Sequence, residues 1–359
     1  MADIIINEVT PRYVLSHAAG RKQQSNRSAF MLTIDYDEVL SLVRTHDVTV
    51  VGVQLPAGLR RKAGEIAAFL EGHGYEVIFS GDPSYGACDV ADRDMAEAGA
   101  GMLLHFGHSP MLAHAEIPVA YVEVQDDIPL VPAVAPHVDV LRKYGTSVAL
   151  VTTVQHVRGL PDVASFLSSQ GFDPFIGSPG SRVAHDGQVL GCSFEAARIP
   201  GAHFCLYLGT GYFHPVGIAL ATDLPVLYCN PYTGECNDIS ALKDKIVRKR
   251  YAVMVSAESC ERFGILVSTK PGQYRREEAQ EIQNLLRAHK KKCQLIYARE
   301  ITMSLVCDYD HEAYVVVACP RIAVDDAETF TKPVLTAAEA RLMLEGGAYV
   351  FDEIHTLPR

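Results

Sequence analysis

The stretch Ala68-Phe-Leu-Glu-Gly-His-Gly74-Tyr-Glu-Val-Ile-Phe79 has a counterpart further along the chain, Val163-Ala-Ser-Phe-Leu-Ser-Ser-Gln-Gly171-Phe-Asp-Pro-Phe-Ile176. Each stretch begins with the apolar spacing of a helix, passes through a glycine and ends in a short apolar run that predicts a buried strand. The parallel predicts that one helix-to-strand unit occurs more than once in this chain.

The segments before both copies predict a further strand in each unit. Val48–Gln54 and Ser147–Gln155 are rich in β-branched residues, as is typical of strands covered on both faces. A third round starts at Phe263–Gln273, followed by a predicted helix over 277–289 and a strand over 293–297. Three tandem βαβ units of roughly 100 residues predict an α/β protein with small parallel sheets, arranged around a pseudo-threefold axis.

The repeats divide the chain into four parts. We assign residues 1–36 to an N-terminal extension, 37–140 to the first α/β domain, 141–245 to the second and 246–359 to the third. Asp37 is the predicted N-cap of a helix that ends near Arg44.

The composition describes a soluble globular protein of 359 residues, with 48% apolar residues, 21% charged residues and a net charge of −11. An acidic chain gains no counterion-release affinity from a phosphate backbone, so direct nucleic-acid binding is disfavoured and a basic protein partner fits better. No apolar run approaches the roughly 20 residues that span a bilayer, and the N-terminus lacks the pattern of a signal peptide. We therefore expect a cytoplasmic protein without membrane association.

Nine cysteines are scattered through the chain. An odd number without a signal sequence argues for reduced thiols rather than a disulfide framework. The closest two, Cys229 and Cys236, are too far apart for a CxxC pair, so any metal site must combine distant parts of the chain.

Three of the cysteines follow predicted strands, one in each unit. Cys88 lies in the turn Asp82-Pro-Ser-Tyr-Gly-Ala-Cys88-Asp-Val-Ala-Asp-Arg-Asp94, after the second strand of the first unit. Cys192 has the corresponding place in the second unit, whereas Cys319 follows the third strand of its unit. Ligands gather at the carboxyl ends of strands in open α/β sheets, so these thiols would meet if the units pack around one axis.

Three thiolates suit a 4Fe–4S cluster whose fourth iron is open to a substrate. A structural zinc would recruit a fourth protein ligand, and three unrelated core thiols are the other interpretation of the same spacing. The other six cysteines are expected to be buried and inert: Cys205, Cys229, Cys236, Cys260, Cys293 and Cys307.

The chain resembles the diphthamide-synthesis family, in its archaeal catalytic form, through five motifs that occur in order: Tyr85-Gly-Ala-Cys88-Asp, Phe106-Gly-His-Ser109, Leu190-Gly-Cys192-Ser, Phe213-His-Pro-Val-Gly217 and Ala318-Cys319-Pro-Arg-Ile322. The resemblance extends from about Val48 to Asp326. It implies a three-domain α/β homodimer with one 4Fe–4S cluster per chain. Its catalytic cluster ligands correspond to Cys88, Cys192 and Cys319.

The reaction that this resemblance implies is the first step of diphthamide biosynthesis, on translation elongation factor 2. The 3-amino-3-carboxypropyl group of S-adenosylmethionine is transferred to C2 of a histidine, through a radical formed by Cγ–S cleavage, and methylthioadenosine is released. The cluster supplies the electron, so an electron donor is implied as well. The protein selects which of the three sulfonium bonds is cleaved, which only placement of the substrate can achieve.

Residues at strand ends are the candidates for binding S-adenosylmethionine. We expect glycine loops there to leave backbone N–H groups free, and Arg321, two residues past Cys319, to pair with the substrate carboxylate. For Arg321 the competing interpretation is an ion pair within the protein, and for the two candidate histidines a structural role. The candidates are Gln54, Gly107, His108, Ser109, Gly209, Thr210, Gly211, His214 and Arg321.

Two other functions stay open from the sequence. Quinolinate synthase has a similar triplicated design with a three-cysteine cluster, although the residues around Cys88 and Cys319 speak against it. Formation of methylthioadenosine from labelled S-adenosylmethionine would separate the two enzymes. A non-catalytic electron-transfer subunit is expected to lack one ligand cysteine, and the presence of all three favours catalysis.

Overall fold

A computed structural model of the chain describes residues 32–355, and in that range it contains fifteen strands and twelve α-helices. The strands are β1 Leu32–Thr33, β2 Val50–Gln54, β3 Glu76–Phe79, β4 Met102–Phe106, β5 Val119–Val122, β6 Gln125–Asp126, β7 Ser147–Thr152, β8 Asp173–Phe175, β9 Phe204–Leu208, β10 Val226–Cys229, β11 Cys236–Asp238, β12 Arg262–Ser268, β13 Lys292–Ala298, β14 Ala313–Val317 and β15 Val334–Thr336. The helices are α1 Tyr36–Arg44, α2 Ala63–Glu71, α3 Asp92–Glu97, α4 Val131–Val134, α5 Val138–Leu141, α6 Leu160–Ser169, α7 Phe213–Ala221, α8 Ser240–Glu258, α9 Arg276–Ala288, α10 Met303–Asp308, α11 Arg321–Asp325 and α12 Ala337–Glu345.

Three separate sheets carry the fold, and their strand orders agree. The orders are β3-β2-β4-β5, β8-β7-β9-β10-β11 and β13-β12-β14-β15. In chain order each sheet therefore begins 2-1-3-4, and these four strands are parallel in every case. The prediction of an α/β protein built from repeated units with small parallel sheets is confirmed. The pseudo-threefold axis and the domain boundaries stay predictions.

The junction between helix and second strand has the same backbone geometry in all three units. Gly74, Gly171 and Lys290 are left-handed, with φ of +91°, +82° and +61°. The next residue then donates its N–H to a carbonyl five positions back, at 3.2 Å for Tyr75 to Leu70, 3.1 Å for Phe172 to Leu167 and 2.9 Å for Lys291 to Leu286. This is a helix C-cap that favours glycine, and the third copy is hidden from the sequence because lysine occupies that position.

Both faces of the inner strands are buried, which explains their continuous apolar runs. In β7, Ala149 and Val151 join one apolar cluster, whereas Val148 and Leu150 join another on the opposite face. The central strand β12 is divided between two clusters in the same way. Since helices cover the faces, the carboxyl ends of the strands are where a site can form.

Some local predictions were wrong. The N-cap of α1 is Asp35, whose carboxylate accepts from the Glu38 N–H at 3.0 Å, and not Asp37. The second sheet is not entirely parallel, because β11 pairs antiparallel with β10. Most of the predicted N-terminal extension lies outside the described residues. Within residues 32–355, none of the helices combines the length and the apolar character that crossing a membrane requires.

Two cysteines that we expected to be reduced form a disulfide. Cys229 ends β10 and Cys236 begins β11, and the antiparallel register places them directly opposite each other. Opposed residues in such a pair have Cα atoms about 4.5–5.5 Å apart, within reach of a disulfide, so the hairpin and not the spacing brings them together. The expectation of a buried thiol is also wrong for Cys307, which is exposed on α10, and is confirmed for Cys205.

Candidate functional site

Each of the three candidate ligand cysteines follows a strand of a different sheet. Cys88 lies between β3 and α3, Cys192 between β8 and β9, and Cys319 directly after β14. The turn at Cys192 is closed by a hydrogen bond of 3.0 Å from the Leu190 N–H to the Ser193 carbonyl. Cys192 is buried, and the other two are partly exposed.

The three thiols lie within electrostatic reach of one another. Burial, and after it the charge of Cys192, raises the pKa of the Cys88 thiol to about 11. Burial also raises the pKa of Cys319, and the charges of Cys192 and Cys88 are the next causes. The structure thus brings the three cysteines into one neighbourhood, as the sequence predicted.

The loop after β12 supports the Cys88 turn. The Gly272 N–H donates to the Cys88 carbonyl at 2.9 Å, and the Gly272 carbonyl accepts from Arg182 Nη2 at 2.8 Å. A Cβ on residue 272 would come within 2.4 Å of the Cys88 Cα, so this approach requires glycine. The Arg182 guanidinium also hydrogen-bonds Cys192 and opposes the burial that raises the pKa of this thiol. Gly272 and Arg182 therefore connect two of the three cysteines.

The carboxyl-terminal segment closes the site behind Cys192. The Ile354 N–H donates to the Cys192 carbonyl at 2.9 Å. Arg275 donates from Nη2 to Asp352 in the same segment at 2.7 Å, and from Nη1 to the Ala318 carbonyl at 3.3 Å. Arg275 therefore connects Ala318, the residue before Cys319, with the carboxyl-terminal segment, whose Ile354 hydrogen-bonds Cys192.

Arg321 forms an ion pair inside the protein. Its Nε and Nη2 donate to the two Asp325 carboxylate oxygens at 2.6 and 2.7 Å, and Nη2 also donates to the Phe213 carbonyl at 3.0 Å. Its guanidinium lies 4.2 Å from the centre of the Phe213 ring. The Nη1 group is buried and has no hydrogen-bond partner in the part of the chain that the structure describes. Arg321 therefore combines the internal pair that we considered with one donor left for a ligand.

A hydrogen-bonded chain connects Gln54 with His108. Gln54 donates from Nε2 to the Asp89 carbonyl at 2.8 Å, and its Oε1 accepts from the Ala91 N–H at 3.0 Å and from His105 Nδ1 at 2.8 Å. His105 Nδ1 must then carry the proton, so its Nε2 accepts from His108 Nδ1 at 2.9 Å. Burial lowers the pKa of His108 to about 4, so both rings are neutral at pH 7. Gln54 supports the Cys88 turn, and its contact with a cofactor stays a prediction.

The loop Gly107–Ser109 joins the first sheet to the second unit. The Gly107 carbonyl accepts from Gln155 Nε2 at 3.2 Å, and the Ser109 hydroxyl accepts from Gln188 Nε2 at 2.7 Å. The Gly107 N–H is not free, contrary to our expectation, because it donates to the Val122 carbonyl at 2.8 Å. The β-ladder continues one residue past the strand end and uses this donor.

The loop Gly209–Gly211 is the accessible counterpart in the second unit. The Gly209 N–H is also used, donating to the Cys229 carbonyl at 3.1 Å, while Thr210 and Gly211 are exposed. His214 follows at the start of α7, where burial lowers its pKa to about 3 and its ring stacks on Tyr207 at 5.8 Å between centres. The structure therefore gives His214 a packing role, and a ligand contact for it stays a prediction.

The donor set fits an iron–sulfur cluster better than a single metal ion. Among residues 32–355, no three His, Cys, Asp or Glu side chains are grouped so that they could hold one metal ion. Zinc holds its ligand atoms at about 2.0–2.3 Å from one point. A 4Fe–4S cluster binds each thiolate through a different iron, so its sulfur ligands lie further apart. Three thiols from separate sheets in one neighbourhood supply the thiolate ligands that such a cluster takes.

Sequence reasoning missed the charged residues around Cys88. Lys270 Nζ lies 2.9 Å from the Asp89 carboxylate and 2.8 Å from Glu300, and the side chains of Lys270 and Asp89 are both buried. Gln273 donates from Nε2 to the Cys88 sulfur at 3.3 Å. Their position in the repeat could have indicated them. Gln54 ends the first strand of the first unit, and Lys270 and Gln273 come just after the first strand of the third unit.

The chain resembles known proteins in sequence and in fold. A family model described as "Putative diphthamide synthesis protein" matches residues 55–353. The chain is 38% identical over 327 residues to 2-(3-amino-3-carboxypropyl)histidine synthase of Pyrococcus horikoshii, covering 91% of this chain and 95% of that protein. It is 31% identical to subunit 1 of the Gallus gallus enzyme of that name, covering 84% of this chain and 74% of the relative.

A solved structure shares the fold. The crystal structure of Dph2 from Pyrococcus horikoshii with a 4Fe-4S cluster superposes with a TM-score of 0.87 at 38% identity, and the match covers 92% of this chain and 96% of that one.

Proposed function

The chain belongs to the diphthamide synthesis family, and from this membership we propose that it transfers the 3-amino-3-carboxypropyl group of S-adenosylmethionine to C2 of a histidine of translation elongation factor 2, the first step of diphthamide biosynthesis. It is a transferase, since its relatives are named for synthesis of 2-(3-amino-3-carboxypropyl)histidine. The observation that carries the proposal is the convergence of Cys88, Cys192 and Cys319 from three sheets.

We assign these three cysteines as the ligands of a 4Fe–4S cluster, an assignment supported by the cluster in the Pyrococcus horikoshii structure. When bound, the cluster supplies the electron for reductive cleavage of S-adenosylmethionine. The chain itself must hold the sulfonium so that the Cγ–S bond is broken rather than the C5′–S bond. Cγ–S cleavage would release methylthioadenosine together with the 3-amino-3-carboxypropyl radical. Addition of this radical to C2 of the imidazole would then be followed by loss of the C2 proton and of one electron, so that the transfer is redox-neutral overall.

Arg321 is the proposed anchor of the substrate carboxylate. A buried donor without a partner costs about 1–3 kcal/mol, and the free Nη1 of Arg321 is such a donor. A carboxylate at this position would satisfy it, two residues from Cys319. The exposed Thr210 and Gly211 leave room for the remainder of the substrate.

The proposal also includes a homodimer, an external electron donor and a cytoplasmic location. A closed twofold dimer is the commonest way to cover exposed element faces. The net charge of −11 favours a basic region on the protein substrate.

The test is anaerobic reconstitution with iron and sulfide, followed by reduction and incubation with elongation factor 2 and S-adenosylmethionine labelled in the aminocarboxypropyl group. We expect label on the factor and one methylthioadenosine per modified histidine. Methylthioadenosine without labelled factor would identify another acceptor. Neither product from a cluster-loaded, reduced protein would refute the proposed transferase reaction.

A further inference from the structure

The Cys88 sulfur receives a hydrogen bond from a side chain of the third sheet. Gln273 Nε2 lies 3.3 Å from the Cys88 Sγ, and Gln273 is only 5% exposed. The donor and the acceptor belong to different units, since Gln273 lies in the short turn that follows β12 of the third unit and Cys88 lies in the first. A buried amide aimed at a sulfur atom is specific enough to ask what it does.

The loop that carries Gln273 is fixed on both sides of the contact. The Gln273 N–H donates to the Lys270 carbonyl at 3.0 Å, and the Gly272 N–H donates to the Cys88 carbonyl at 2.9 Å. Lys270 forms a buried ion pair of 2.9 Å with Asp89, the residue after Cys88. The loop after β12 therefore contacts Cys88 and its neighbour Asp89 through a backbone hydrogen bond, an ion pair and the Gln273 amide.

The three cysteines differ in the donor that reaches them. Cys88 is approached by the neutral amide of Gln273, and Cys192 by the guanidinium of Arg182. Cys319 is approached by the backbone N–H of Arg321. Of the three donors, only the amide can be removed by a substitution that deletes no charge and leaves the backbone unchanged. Gln273 is therefore the position at which the effect of the hydrogen bond alone can be measured.

An N–H donor matters little to a thiol and much to a metal-bound thiolate. Without a cluster, the sulfur of a protonated thiol is a weak acceptor, whereas a metal-bound sulfur is a thiolate and carries negative charge. Hydrogen bonds to an ionised acceptor are roughly twice as strong as neutral ones. The geometry is therefore matched to a thiolate ligand and stabilises it most when the cluster carries the extra electron.

We propose that Gln273 is a positioning residue that sets the reduction potential of the cluster by donating a hydrogen bond to the Cys88 sulfur. The inference rests on the proposed function, because it requires that Cys88 binds a cluster. A donor to a ligand sulfur favours the reduced state, so removing it lowers the potential and makes the cluster harder to reduce. A residue that follows a strand of the third sheet would then help to set the low reduction potential that substrate cleavage needs.

The experiment compares Gln273→Leu and Gln273→Glu with the parent protein. Leucine lacks the donor, and glutamate keeps the length but replaces the N–H by a negative charge. Each protein is reconstituted anaerobically, its iron is counted, and its midpoint potential is measured by a mediated titration followed by paramagnetic resonance. Gln283→Leu is the matched control, because Gln283 is also buried in the third unit but lines a different cavity with Cys293 and Tyr297.

We expect four irons per chain in every protein and potentials that fall in the order parent, Gln273→Leu, Gln273→Glu. At a fixed potential, Gln273→Leu should shift the ratio of oxidised to reduced cluster about tenfold, which is 59 mV for one electron. Gln283→Leu should match the parent.

An unchanged potential in a fully loaded Gln273→Leu protein would overturn the inference while leaving the proposed function intact. Loss of iron from that variant would overturn it as well, since the amide would then be needed for binding and not for the potential. A parent protein that binds no cluster would instead refute the proposed function.

Discussion

Replacing Arg321 by methionine should weaken the binding of S-adenosylmethionine and leave the binding of methylthioadenosine unchanged. Methionine keeps a long unbranched side chain but removes the guanidinium, which lies 4.2 Å from the centre of the Phe213 ring. Among the guanidinium nitrogens of Arg321, only Nη1 has no hydrogen-bond partner in the described residues, so the carboxylate gains one charge-assisted hydrogen bond, worth about 1.5–3 kcal/mol. This corresponds to an increase in Kd of about tenfold to a hundredfold. Because Asp325 already neutralises part of the Arg321 charge, we expect the lower value, about tenfold.

The matched control also removes the negative charge of Asp325, which Arg321→Met leaves without its ion-pair partner. Asp325 is partly buried, and its pKa is already raised by burial, with Arg321 opposing that rise. The double variant Arg321→Met, Asp325→Asn therefore keeps the pair neutral and separates substrate binding from local unfolding. Binding is measured by calorimetry under anaerobic conditions with both ligands.

The comparison of the two ligands decides the outcome. Methylthioadenosine lacks the carboxylate, so only S-adenosylmethionine should lose affinity. A loosened anchor should also release 5′-deoxyadenosine or methylthioadenosine without modified elongation factor. If Arg321→Met binds S-adenosylmethionine like the parent, or weakens both ligands equally, Arg321 does not hold the carboxylate.

Three further outcomes test other parts of the structure. Cys192→Ala should lose the cluster iron and its visible absorption, whereas Cys205→Ala, in the buried strand β9, should retain iron and lose only thermal stability; an intact cluster in Cys192→Ala would contradict the ligand assignment. Lys290→Gly should raise the free energy of unfolding by about 0.5–1 kcal/mol. A left-handed residue with a Cβ costs about 1–2 kcal/mol, and part of this gain is lost because glycine has more conformational entropy in the unfolded chain. A lower melting temperature would show that the lysine is not strained. Denaturant titration of the cluster-free protein should show that the free energy of unfolding falls as the pH drops from about 6.5 to about 4. In this range the unfolded chain binds a proton at His108, whereas the folded chain, in which the pKa of His108 is lowered, does not. His108→Gln should reduce this dependence on pH, and an equal dependence would assign the effect to other groups.

The triplicated fold was predictable because local patterns carry it. The parallel between Ala68–Phe79 and Val163–Ile176 reflects a helix C-cap that needs a left-handed residue, and two of its three copies use glycine. Lys290 conceals the third copy, since a lysine gives no turn signal. The cysteines Cys88, Cys192 and Cys319 were found for a similar reason, because each lies in the loop that follows a strand with a recognisable apolar run.

The surroundings of those cysteines could not be predicted, because they depend on how separate sheets meet. Gly272 looks like an ordinary turn glycine until Cys88 is placed against it at a distance that excludes a Cβ. Arg182 and Gln273 are polar residues in loops, and only the packed structure aims them at sulfur. The disulfide between Cys229 and Cys236 likewise follows from a hairpin register that spacing alone does not define.

The distribution of the ligands over the chain has a consequence for biosynthesis. Cys319 is translated after both of the first two sheets, and Ile354, whose N–H donates to the Cys192 carbonyl, is translated after Cys319. A nascent chain that has completed the first two sheets presents only two of the three thiols, so it offers iron no finished site. If these cysteines are the cluster ligands proposed above, loading of the cluster would have to wait until residue 319 has been translated, and a chain that terminates earlier would lack one of the three ligands.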